Sequence, residues 1–179
     1  MSDCEKREDK DRDCDRNCVR CPEPGHPLPK PILFECGNGG GFTFAANCSN
    51  SKEENAGCIC TPKTIATVTL DTSCLCMPKV KVEFSSIVHF IPKNDHGQVQ
   101  LEFDLVRCCK DFPECVIGTW NFEIGKEDDN FAKSFCFNHC DCSSCPGCCT
   151  YIVKCRPVFV KDAAICVTNC QIAIFAQEH

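Results

Sequence analysis

Lys79-Val-Lys-Val-Glu-Phe-Ser-Ser-Ile-Val-His-Phe90 and, past Asn94-Asp95-His96-Gly97, Gln98-Val-Gln-Leu-Glu-Phe-Asp-Leu-Val-Arg107 are the two stretches that decide the fold. In the first, Val80, Val82, Phe84, Val88 and Phe90 fall on one side, and Lys79, Lys81, Glu83 and Ser85 on the other. In the second, Val99, Leu101, Phe103 and Leu105 oppose Gln98, Gln100, Glu102 and Asp104. A period of two is the mark of an extended strand with one dry face. A wet second face is the antiparallel pattern. Asn94–Gly97 predicts a hairpin loop joining the two strands.

Short strands with turn punctuation continue on both sides. They are expected at Ile32–Cys36, Phe42–Phe44, Thr64–Asp71, Val116–Glu123, Asn130–His139, Thr150–Val160 and Ala164–Ala176. With about eight strands and no helical periodicity, the fold class is all-β, a jelly-roll-like antiparallel β-sandwich. Trp120 and the many Phe residues belong to its core. Gly37-Asn-Gly-Gly-Gly41 reads as a turn, since it lacks the Lys and the helix of a phosphate loop. Asn47–Pro62 is polar and reads as a surface loop.

Residues 1–30 are different in kind. Thirteen of the first twenty are charged, seven acidic and six basic, so the segment buries almost nothing. Cys21-Pro-Glu-Pro-Gly-His-Pro-Leu-Pro-Lys-Pro31 follows, and its prolines favour a stiff extended chain. The expected organisation is an N-terminal arm, 1–30, and a sandwich domain, 31–179.

The 179 residues carry 22 Cys, a density that flags a disulfide or metal scaffold. Hydrophobic residues at 43% are enough for a core without staples. The net charge of −6 argues against nucleic acid, and no apolar run is long enough for a membrane helix. The first twenty residues contain no apolar stretch of the kind a secretory signal needs, so synthesis without a signal peptide is expected. Thiols made in the cytosol are kept reduced. Either these bind metal, or the protein meets oxidising conditions after the cell releases it.

Several cysteine arrangements have spacings that suit chemistry. Cys14-x3-Cys18-x2-Cys21 has the spacing of an iron–sulfur site in radical enzymes that use S-adenosylmethionine, without the barrel that holds it. Cys18-Val-Arg-Cys21 has thiol-exchange spacing without a helix start. His139, Cys140, Cys142 and Cys145 are chemically suited to zinc, and Cys142, Cys145 and Cys148 begin an iron–sulfur pattern that stops at Ile152. A cysteine-rich metal-binding protein with Zn or Fe thiolate clusters is therefore the alternative reading. His139 and Cys140, as neighbours in a strand, point apart and make a poor nucleophile–base pair. The same geometry splits the doublets Cys108-Cys109 and Cys148-Cys149 between opposite faces. In the C-x-C pairs Cys58/Cys60, Cys74/Cys76 and Cys140/Cys142, extended chain would point both sulfurs the same way.

Leu33-Phe-Glu-Cys-Gly37, Leu70-Asp-Thr-Ser-Cys-Leu75, Val82-Glu-Phe-Ser-Ser86, Trp120-Asn-Phe122, Ser134-Phe-Cys-Phe137 and Cys148-Cys-Thr-Tyr151 resemble a cysteine-rich family of unknown function found in anaerobic, endospore-forming clostridia. The resemblance covers roughly Pro31 to Ala176. In layout the chain is also similar to endospore-appendage subunits, in which a Cys-bearing arm is disulfide-bonded to subunits further along a fibre. That likeness implies a structural, non-enzymatic subunit of a homopolymeric filament, helical or linear, on the spore surface outside the cell. It implies no cofactor and no partner other than copies of itself. Under it, Cys4, Cys14, Cys18, Cys21, Cys108 and Cys109 are candidates for bonds between chains. Cys36, Cys48, Cys58, Cys60, Cys74, Cys76, Cys115, Cys136, Cys140, Cys142, Cys145, Cys148, Cys149, Cys155, Cys166 and Cys170 are candidates for bonds within one.

Overall fold

Each alternating stretch becomes a strand because its apolar side has a second sheet to face. A computed structural model of the chain describes residues 31–44, 48–49, 61–110, 112–127, 129–142 and 146–178. The arm, Cys145 and most of the Asn47–Pro62 loop lie outside them. The strands are β1 (Ile32–Asn38), β2 (Phe42–Phe44), β3 (Cys48–Ser49), β4 (Lys63–Asp71), β5 (Pro78–Pro92), β6 (Gly97–Cys109), β7 (Cys115–Glu127), β8 (Phe131–Asp141), β9 (Cys148–Lys161) and β10 (Ala163–Glu178). Among the described residues there is no helix.

The long strands form two antiparallel sheets. One runs β1-β10-β5-β8, with β2 also on β10. The other carries β4 and β3 on β9, followed by β6 and β7. Between long strands the chain changes sheet at every connection except β6–β7. This is the interleaving of a jelly roll.

Val80, Val82, Phe84, Val88 and Phe90 are all buried, as are Val99, Leu101, Phe103 and Leu105. The two sets meet across the interior, with the Phe84 and Phe103 rings 6.2 Å apart. The expected hairpin is therefore corrected. β5 pairs with β10 and β8, while β6 pairs with β9 and β7, so Asn94–Gly97 crosses between sheets. Two strands that each carry a largely apolar face, broken on β5 only by Ser86, bury both faces best by placing them opposite one another. The crossing is tied down locally: Asn94 Oδ1 accepts from the His96 N–H at 3.0 Å, and the Lys93 N–H donates to the Asp162 carbonyl at 2.7 Å.

The open sides of the sandwich close differently. Between β7 and β8 the closure is aromatic, with Trp120 stacked on Phe137 at 3.9 Å and Phe122 edge-on to Phe135 at 5.8 Å. Between β1 and β4 it is backbone against backbone. A Cβ on Gly39 would stand 1.6 Å from the Ile65 carbonyl oxygen, so only glycine fits there. The Gly39 N–H also donates to the Cys170 carbonyl at 2.8 Å.

Candidate functional site

The topology gathers sulfur at one end of the sandwich. β4 and β6 finish there, and β5, β7 and β9 start there, with β8 arriving at Asp141. The described residues of the connections 72–77, 110–114 and 142–147 therefore lie together, and they or the strand ends beside them hold Cys74, Cys76, Cys108, Cys109, Cys115, Cys142, Cys148 and Cys149. The described connections at the far end, 93–96, 129–130 and Asp162, contain no cysteine, and of the described strand ends beside them only β3 has one, Cys48 opposite Val160. β1 also begins at the sulfur-rich end, where Ile32 pairs with Gln177. The chain therefore enters the sandwich at this pole.

Neighbouring connections are stitched by hydrogen bonds. The Thr72 N–H donates to the Gly147 carbonyl at 2.9 Å, and the Gly147 N–H returns a bond to Thr72 Oγ1 at 3.2 Å. Asp71 accepts the Ser73 N–H at 2.9 Å, which with the Ser73 side chain holds its carboxyl below the usual range. Beneath them Arg107 Nη1 lies 2.9 and 2.7 Å from the two oxygens of the buried Asp141. The Tyr151 hydroxyl donates to Asp141 as well, at 3.1 Å.

Cys109 and Cys149 face each other across β6 and β9 and form a disulfide, with Cα atoms 4.2 Å apart. This corrects the expectation that Cys109 bonds another chain. Cys149 is in the core, and Cys109 takes the same face of the sheet. Their neighbours Cys108 and Cys148 turn outward, exposed and unbonded. The doublets divide between the faces because adjacent strand residues must. Cys76 and Cys115 are also disulfide-bonded. Cys74 and Cys76 lie in a turn instead of an extended segment, so Cys74 is exposed while Cys76 is buried.

Other cysteines expected to bond within the chain are free thiols: Cys36, Cys74, Cys136, Cys140, Cys142, Cys148, Cys155, Cys166 and Cys170. The reason for some is register. Cys36 sits opposite Ala173, Cys136 opposite Ser85 and Cys140 opposite Lys81, so none has a sulfur across from it. All three lie on the outer face of the first sheet. Cys166 is half-buried there and accepts a hydrogen bond from Thr43 Oγ1 at 3.3 Å. Cys155 and Cys170 are in the core. Burial pushes the Cys170 thiol up to about 11 and the Cys155 thiol higher still, with the nearby Cys170, Asp104 and Glu102 adding to the latter. Thiols held protonated in this way are poor nucleophiles.

The zinc set does not assemble from the residues described. His139 points inward, edge-on to Trp120 at 6.1 Å, while Cys140 points outward. Among the described residues no three His, Cys, Asp or Glu side chains converge as metal ligands. Cys4, Cys14, Cys18, Cys21, Cys58, Cys60 and Cys145 lie outside the described residues. So does the side chain of Cys48, although its backbone pairs with Val160. Sequence reasoning did not separate Cys36, Cys136 and Cys140 from the bonded cysteines, because their isolation depends on which residue faces them across the ladder.

Residues 30–176 match the family model described as Domain of unknown function (DUF4489). The chain belongs to this family. The DUF4489 match takes in β1 to β9 and β10 as far as Ala176, and leaves residues 1–29 outside it. No curated protein matches the chain. Among solved structures, it is similar to that titled "Structure of infectious bursal disease virus Gx strain". The identity is 6%, the TM-score 0.39, and the match covers 82% of this chain and 38% of that one. The corresponding Gt strain structure gives 8% identity and a TM-score of 0.27, covering 86% and 45%. This DUF4489 chain thus spans less than half the length of either solved chain.

Proposed function

We propose that the protein is a structural subunit that self-assembles into a disulfide-crosslinked extracellular filament on the endospore surface, with its N-terminal arm coupling each copy to its neighbours. One observation carries the reading: seven thiols, Cys36, Cys74, Cys108, Cys136, Cys140, Cys142 and Cys148, are exposed and unbonded on a body whose apolar core is already complete. Sulfur placed there adds nothing to the fold. On ordered strands and tied loops it is positioned for a second chain.

The pole supports the same reading. The arm bears four further cysteines and joins the sandwich at the end where sulfur is concentrated. A contact between an arm and a different surface on the next copy is heterologous, and such contacts propagate into a filament when they do not close a ring. Each bond between chains would resist heat and denaturant and yield to reductant. The family resemblance supplies the spore setting, in which oxidation follows lysis of the mother cell.

The test is negative-stain microscopy of the full chain after air oxidation, with and without reductant, beside a variant lacking residues 1–22. Long fibres from the full chain, lost on reduction and absent from a folded truncated body, are expected. Boiling-resistant fibres from the truncated protein would show that the arm is not the coupler. A full chain that stays monomeric in air would end the reading.

A further inference from the structure

Within that filament reading, we infer that residues 14–20 of one copy add as an antiparallel strand to the free edge of β8 in another, pairing Cys14 with Cys140 and Cys18 with Cys136. β8 is the last strand of its sheet, and among the described residues only β5 pairs with it. Its far side offers an unmatched row of N–H and C=O groups, which is a template for another strand. Cys136 and Cys140 are exposed and unbonded on that edge.

Spacing selects the segment. Cys136 and Cys140 are four residues apart, as are Cys14 and Cys18. An even offset keeps both sulfurs of each pair on one face. In an antiparallel ladder, positions four apart also belong to the same class of opposed pair, so one register seats both bonds. The sandwich already holds a cross-strand disulfide of this kind in Cys109–Cys149.

Charge and polarity select the direction. Antiparallel pairing sets Asp15 opposite His139, Val19 opposite Phe135 and Arg16 opposite Asn138, beside which lies the part-exposed Glu83. Within residues 14–20, parallel pairing would set Asp15 against Phe137 of the aromatic closure, where antiparallel pairing sets the uncharged Asn17. In the chosen register Pro22 falls opposite Ala132 and ends the ladder, because it has no N–H to donate.

The strand comes from another copy because of how the arm meets β1. Pro22, Pro24, Pro27, Pro29 and Pro31 favour an extended chain in the sequence that leads into β1 at Ile32. At ~3.1 Å per residue an extended stretch of this composition would span about 28 Å, enough to reach another copy. Docking on the same copy in this direction would need a chain reversal at Pro31-Ile32. Each bond joins two thiols while dioxygen takes the two protons and two electrons and leaves as hydrogen peroxide.

Reduced full-length protein, half of it labelled with nitrogen-15, is mixed, oxidised in air, alkylated and digested with trypsin and chymotrypsin. Cleavage after Arg16 and after Phe137 places the two bonds in separate peptide pairs. Mass spectrometry should find Cys14–Cys140 and Cys18–Cys136, with light and heavy partners mixed. The same pairs without mixing would overturn the link between copies, and Cys14–Cys136 with Cys18–Cys140 would overturn the direction. Polymers whose arms bond other thiols would sink this edge and leave the filament standing; no polymer and no bond between chains would sink both. A full-length Cys136→Ser/Cys140→Ser variant, altered only at exposed positions, should lose the sedimenting polymer, and an undiminished polymer counts against the inference.

Discussion

Cys109 on β6 and Cys149 on β9 stand directly opposite each other with their Cα atoms 4.2 Å apart, 40 residues distant in sequence, and are bonded. They flank the pair of half-buried Arg107 and buried Asp141 at the pole where the chain enters the sandwich. This staple closes off one end of a core that hydrophobic burial already holds together.

Removing the staple should weaken the body without unfolding it. Closing a loop of this length contributes about 4 kcal/mol in the chain-entropy account. A Cys109→Ala/Cys149→Ala variant should therefore lose up to that amount in urea denaturation and keep its β-sheet circular dichroism. An unfolded double variant would show that the core cannot hold without the bond.

Alkylation of the native reduced monomer should sort the thiols by position. Cys36, Cys108, Cys136 and Cys140 are exposed and should be modified promptly by iodoacetamide, while Cys155 and Cys170 should react only after denaturant is added. Peptide mapping by mass spectrometry reads the order. Prompt modification of Cys155 would mean that the two sheets part on the timescale of labelling.

Stability should decline at alkaline pH. Cys170 titrates at 9.0 in its unperturbed state, and burial raises it to about 11; burial raises Cys155 further. The folded state keeps protons that the unfolded chain gives up, so the contribution is whole below pH 9 and fades as pH climbs through 11. The urea midpoint should fall across that window, and less steeply in Cys155→Ala/Cys170→Ala. Equal slopes in the two proteins would assign the fall to other groups.

The ion pair under the pole should be costly to break. Asp141 is 3% exposed and takes bonds from both Arg107 and Tyr151. Asp141→Asn leaves the guanidinium without its counter-charge and should cost about 3 kcal/mol. Tyr151→Phe removes one hydroxyl bond and should cost about 1 kcal/mol. Chemical denaturation measures both, and a neutral Asp141→Asn would show that water replaces the carboxylate.

Some of this could be read along the chain and some could not. Val80 to Phe90 and Val99 to Leu105 reveal their buried faces through period two alone, since each residue's side follows from its neighbour's. Asn94–Gly97 looks like a hairpin because local turn chemistry is the same whether the next strand pairs alongside or crosses to face its predecessor. For the doublets the split between faces was legible, while the bond from Cys109 to Cys149 was not.

The order of residues by itself determined the all-β class, the approximate positions of the long strands and the inward sides of Val80–Phe90 and Val99–Leu105. These follow from backbone geometry and from the company each residue keeps within a few positions. Tertiary structure alone decided which strands lie side by side, and with that which sulfurs meet. β10 reaches back to β1 and β5, and β9 to β4 and β6, across long stretches of chain. A thiol bonds whatever faces it across the ladder. For Cys149 that is Cys109; for Cys36, Cys136 and Cys140 it is alanine, serine and lysine, which leaves those three sulfurs on the surface.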